Sequence, residues 1–216
     1  MHKTLKRLSL MMMSALSLGA AAADVATPKP SLFQINGFRS ALFGMTAEQV
    51  HAAIQRDFKP APEAVKEFDN EVEKTRVLIV ALPALEPGPG PASVSYILGA
   101  SSRKLMHINV LWSSPDAPTD DERARIAAAG LQLANYFRQQ AWKPKGVAIG
   151  VPSGPNGLLL FAGIDPKNAI VELRLSGVKV ADDASPPPSG PARLRLAYAF
   201  TIGQQDVAAG VKPGSF

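Results

Sequence analysis

No cysteine occurs in the 216 residues, and histidine occurs only three times. The first absence excludes a disulfide framework and a lipid-bearing lipobox cysteine, so no lipid anchor is expected. The second leaves His51 and His107 as isolated imidazoles, with no His-x-x-x-His pair, too few for a transition-metal centre. Each reads as a structural histidine, His51 beside the apolar face of a helix and His107 on a strand. Long hydrophobic runs are also scarce. The run from Leu8 to Leu18 falls short of the roughly 20 apolar residues a bilayer-spanning helix needs, and no later segment reaches that length without charges, so no transmembrane segment is expected. An excess of one charge sign is lacking too. The formal net charge is +5, but Lys3, Lys6 and Arg7 supply three of those charges. Without them the chain carries about +2, and no clustered Lys/Arg face with interleaved aromatics appears, which argues against a nucleic-acid partner.

The first 23 residues have the order of an export signal: a basic start, an apolar run and a small-residue site at Ala21-Ala22-Ala23, with cleavage expected after Ala23. The mature chain is then expected in the periplasm, or secreted. Residues 24–30 read as a flexible lead-in, residues 31–202 as a single α+β domain with halves at 38–114 and 115–202, and residues 203–216 as a loose tail.

Within the domain, Thr46 and Gln49 form a capping box, with Met45 and Val50 as a hydrophobic staple, and predict a helix from about Ala47 to Phe58. Val50, Ala53, Ile54 and Phe58 recur on one of its faces. "VEKTRVLIVAL" (72–82) reads as a strand, "PALEPGPGPA" (83–92) as a hairpin loop, and "SVSYILGA" and "KLMHINVLWS" as two further strands. A second helix begins at Thr119 or Pro118, carries Asp120, Asp121 and Glu122 at its positive end, and stops at Pro144. Ile126, Gly130, Leu133, Ala134 and Phe137 form its buried stripe. Strands follow near "GVAIGV", "GLLLFAG" and "NAIVELRLSGV". After a linker, "ADDASPPPSGP", a last strand puts Leu194, Leu196, Tyr198 and Phe200 on one face, opposite Arg193 and Arg195. The order predicts antiparallel sheet with two main helices packed on one face, in two tandem helix-plus-three-strand units.

"FGMTAEQV" at the first helix start, followed by three antiparallel strands, resembles the small envelope modules of the BamE type and the tandem-repeat β-lactamase inhibitor proteins. The resemblance implies binding rather than catalysis. The chain departs from the lipoproteins of that group by having no cysteine to acylate.

Catalytic patterns are thin. "GVPSGPNGLL" leads from strand to strand, so Ser153 sits in a hairpin turn rather than on a nucleophile elbow, and no phosphate loop is present. Asp116, Asp120, Asp121 and Glu122 lack the spacing of a calcium loop, and Asp182 and Asp183 read as solvated linker charges. Neither metal nor cofactor is expected. With aromatics at only 6 %, the few large rings are weighed singly, and Trp142, past the helical stripe, is the leading recognition candidate, with Trp112 beside it. Glu48, Gln55 and Arg56 on the outer face of the first helix complete the candidate set. The expected function is binding of an envelope protein or a small ligand. The alternatives are a periplasmic hydrolase and a lipid- or carbohydrate-binding carrier.

Overall fold

The computed structural model describes residues 31–154, 156–179, 188–201 and 206–208, all within the compact unit Ser31–Phe216. A short hairpin, β1 (Gly37–Phe38) and β2 (Ala41–Leu42), precedes α1 (Ala47–Phe58). A single 3-10 turn, Pro62–Ala64, then leads into four strands: β3 (Val65–Asp69), β4 (Arg76–Leu82), β5 (Ala92–Leu98) and β6 (Leu105–Ser113). The second run repeats that order, with α2 (Asp120–Arg138) followed by β7 (Val147–Pro152), β8 (Gly157–Ile164), β9 (Ile170–Ser176) and β10 (Arg193–Ala199). The eight long strands form one antiparallel sheet in the order β3-β4-β5-β6-β10-β9-β8-β7. Each run is therefore a meander, and the last strands of the two runs pair along a central seam.

Each run carries four strands, where three were expected in the first and three or four in the second. The additional one in the first run is β3, whose "VKEFD" has no apolar alternation because it is an edge strand with mostly exposed side chains. The β1–β2 hairpin was likewise not foreseen; its strands are too short to show a period.

The helices start as their caps dictate. Thr46 accepts from the Gln49 amide while the Gln49 side chain accepts from the Thr46 amide, and Thr119 and Glu122 do the same for α2. Val50, Ala53 and Ile54 are buried on α1, and Ile126, Ala129, Gly130, Ala134 and Phe137 on α2. Gly130 permits close approach: a Cβ there would lie 2.7 Å from Leu160 Cδ1 and 3.0 Å from Leu194 Cδ1.

Strand register divides the sheet into two chemically distinct faces, because alternate residues point to opposite sides. One face carries three apolar rows: Leu78-Tyr96-Ile108-Tyr198-Val171, Val80-Val94-Val110-Leu196-Leu173-Phe161, and Leu82-Ala92-Trp112-Leu194-Leu175-Leu158. Most of these side chains are buried and belong to the core. Asp165, a fully buried carboxylate, ties the start of the domain to the β8–β9 turn by accepting from the amides of Ile35, Lys167 and Ala169 at 2.8 to 3.0 Å. In the stretch read as a loose tail, residues 206–208 are held: Asp206 accepts from the amides of Ser101 and Ser102 at 3.0 and 2.7 Å. The signal segment, the lead-in, and Asp182 and Asp183 lie outside the described residues.

Candidate functional site

The second face of the sheet carries a mixed set of rows: Ala81-Ser93-Leu111-Arg195-Arg174-Leu159, Ile79-Ser95-Asn109-Ala197-Glu172-Ala162, and Val77-Ile97-His107-Ala199-Ile170-Ile164. Most of these side chains keep partial exposure, unlike their counterparts across the sheet. A polar band runs over β6, β10 and β9, with apolar residues on either side.

At its centre Arg195 stands directly across from Arg174. Like charges in directly opposed positions destabilise a sheet unless something compensates. The compensation is visible on the same face. Arg174 donates to both carboxylate oxygens of Glu172, at 3.1 and 3.3 Å, and to Ser153 Oγ at 3.2 Å. Arg195 Nε donates to Asn109 Oδ1 at 2.9 Å. Burial pushes the Arg195 pKa down and the Arg174 charge adds to that, while Glu172 works the other way. With exposed Arg193 one step along β10, the band presents three guanidinium groups and one carboxylate. Such an array is suited to carboxylates, which a planar guanidinium can grip through paired hydrogen bonds. His107 lies on the same face. Its pKa is lowered by burial first and by Arg195 second, against a smaller opposing effect of Glu172, so the imidazole is neutral at pH 7.

The recognition candidates chosen from sequence fall elsewhere. Trp112 is only 2 % exposed and its Nε1–H is used by Leu85 O at 2.7 Å, so it is a core residue rather than a surface. Trp142 is half-buried, donates to Phe137 O at 2.7 Å and packs against Phe33 and Phe161 with ring centroids 4.8 and 5.3 Å away. It closes an aromatic cluster and is not an isolated exposed ring. Glu48, Gln55 and Arg56 are exposed on α1, a different element from the strands that carry the arginine band. The structure brings none of these five into one site. Ser153 sits in the β7–β8 hairpin, where its amide donates to Gly157 O at 2.9 Å. Glu122 is engaged in its own helix cap, and among the described residues no three His, Cys, Asp or Glu side chains converge as a metal site would require.

Arg174, Glu172 and Asn109 escaped the sequence reading, although a signal was there. In "IVELRLS" and "RLRLAYA" charged residues alternate with core residues, which marks a sheet face carrying charge on both strands. No family model, no curated protein and no solved structure matches this chain.

Proposed function

We propose that this chain is an exported, non-enzymatic binding protein, acting in the periplasm or outside the cell after cleavage near Ala23. It receives a protein partner on the arginine-bearing face of its sheet. The observation that carries this reading is the pair of guanidinium groups, Arg174 opposite Arg195, on a face whose residues keep partial exposure. In this reading both helices lie on the apolar face and leave the other free. The close approach of Gly130 to Leu194 supports that for α2. The 2.9 Å contact of His51 on α1 with Glu67 supports it for α1, since Glu67 pairs with Leu78 of an apolar row. The partner is a protein surface that presents carboxylates over the band and apolar side chains over the flanking Leu111, Ile97 and Leu159. Binding without catalysis is also what the likeness of "FGMTAEQV" to BamE-type and β-lactamase-inhibitor modules implies.

The test is capture of partners from an envelope extract by the wild-type chain, by the Arg174→Glu/Arg195→Glu double variant and by the milder Arg193→Glu. Charge reversal should abolish capture, and capture by the wild type should weaken with added salt. Alanine variants of Glu48, Gln55 and Arg56 should capture normally. Undiminished capture by a folded double variant would sink the proposal, and loss of capture in the helix variants would move the surface to α1.

A further inference from the structure

At one end of the central seam, where β6 begins and β10 ends, lies a cavity of about 400 Å³. Its lining is mainly apolar, with Phe43, Met106 and Phe200 as the large side chains, and Lys104, His107 and Asp206 as the charged or titratable ones. The walls are fixed by backbone. Gly44 N–H donates to Leu105 O at 2.9 Å, Leu105 N–H to Met45 O at 2.8 Å, and Phe200 N–H to Met106 O at 2.9 Å. Phe43 and Phe200 meet with ring centroids 5.7 Å apart, yet Phe200 is still 55 % exposed. Phe200 therefore offers apolar surface at the edge of a preformed hollow, as the walls of small-molecule pockets do.

The charges decide what kind of molecule fits. Lys104 and Asp206 are of opposite sign, and the Asp206 carboxylate is already occupied by the amides of Ser101 and Ser102. The rim therefore offers no net charge to attract an ion. His107, in contrast, has no hydrogen-bond partner among the described residues. A neutral imidazole supplies one N–H donor and one lone pair. A ligand site of this volume, mostly apolar with one oriented polar group, matches the general pattern for small-molecule pockets.

We propose that this cavity binds a small, uncharged, mainly apolar molecule, packed against Phe43 and Phe200 and oriented by one hydrogen bond to the His107 imidazole. Neither Arg174 nor Arg195 lines this cavity, although His107 pairs with Ile97 on the flank of the arginine band.

The probe is N-phenyl-1-naphthylamine, an uncharged aromatic amine that fluoresces strongly only out of water, titrated into the full chain. Saturable enhancement at one dye per chain is the expected result. Met106→Trp and Thr201→Trp, which fill the cavity from two sides, should each weaken binding at least tenfold; two fillers are used so that a folding defect in one does not decide the matter. Removing the hydrogen bond with His107→Leu should weaken it about threefold to tenfold. Ser93→Trp, on the same sheet face but away from the cavity, should bind as the wild type does. Enhancement that never saturates, or that survives both fillers in chains with wild-type thermal unfolding, would overturn the proposal.

Discussion

On the α1 side of the sheet the outermost strand, β3, carries Glu67 and Asp69, and these pair with His51, Arg76 and Arg103 at 2.9 to 3.3 Å. On the α2 side the outermost strand, β7, has no charged residue and leaves Val147 and Ile149 exposed at 41 % and 46 %. The interiors differ in the same sense. α1 presents Val50, Ala53 and Ile54, whereas α2 contributes Phe137 to a cluster with Phe33, Trp142 and Phe161, their centroids 4.8 to 6.5 Å apart. One order of elements is thus reached with two kinds of fastening. Aliphatic residues under the helix and an ion-paired edge mark the first run, and an aromatic cluster under the helix with an apolar edge marks the second. Topology constrains where apolar side chains must fall, but leaves open which ones fill the space.

The sharpest way to break this comparison is to remove one anchor from each run. Phe161→Ala should cost ~3 to 5 kcal/mol and Ile54→Ala ~2 to 5 kcal/mol, read from denaturant midpoints. If Phe161→Ala is the milder of the two, the aromatic cluster does not hold the second run in the way its geometry implies.

Where the runs are alike, their responses should match. Thr46→Ala and Thr119→Ala each remove one capping box and should each cost ~1 kcal/mol. A difference of more than twofold would mean that one helix start is held by something besides its cap.

A smaller effect of opposite sign is expected at Tyr96. Its hydroxyl is buried without a hydrogen-bond partner among the described residues, and burial raises its pKa. Tyr96→Phe deletes that unpaired group and should leave stability equal or raise it by up to ~1 kcal/mol. A loss of stability on this change would point to a hidden partner, such as an ordered water.

The smallest effect is local and depends on pH. Hydrogen bonds from Ser102 and Ser101 hold the Asp206 pKa down at about 2. A depressed folded-state value means that the contact contributes fully above the ordinary carboxylate range and is lost as pH falls from about 4 through about 2. Hydrogen exchange at the Ser101 and Ser102 amides should lose protection over that window and not above it. Protection that persists to still lower pH would show that the amides are held by another group.

Much of the fold was legible because it is written in local pattern. The capping box of α1, the start of α2, both buried helical stripes, the proline-rich 83–92 connection and seven of the eight sheet strands could be read from spacing alone. β3 could not, since an exposed edge strand has no apolar alternation to announce it. The strand order was not legible either. The pairing of Trp112 with Leu194 and of Arg174 with Arg195 depends on contacts far apart in sequence. That is why the arginine band went unseen although Arg193 and Arg195 had been assigned to the face opposite the core. The tryptophans misled for a related reason: Trp112 and Trp142 looked available, but the carbonyls of Leu85 and Phe137 that satisfy them lie on neighbouring elements.

Those two tryptophans are the only ones in the chain, and they fall one to each run. Each indole N–H donates to a single backbone carbonyl at 2.7 Å, one in a buried setting and one at the margin of an aromatic cluster. The molecule therefore carries two native chromophores in different surroundings, one per run. In the single-tryptophan chains Trp112→Phe and Trp142→Phe, emission during refolding would time the two runs separately, without any added label, and show whether they assemble together or in sequence.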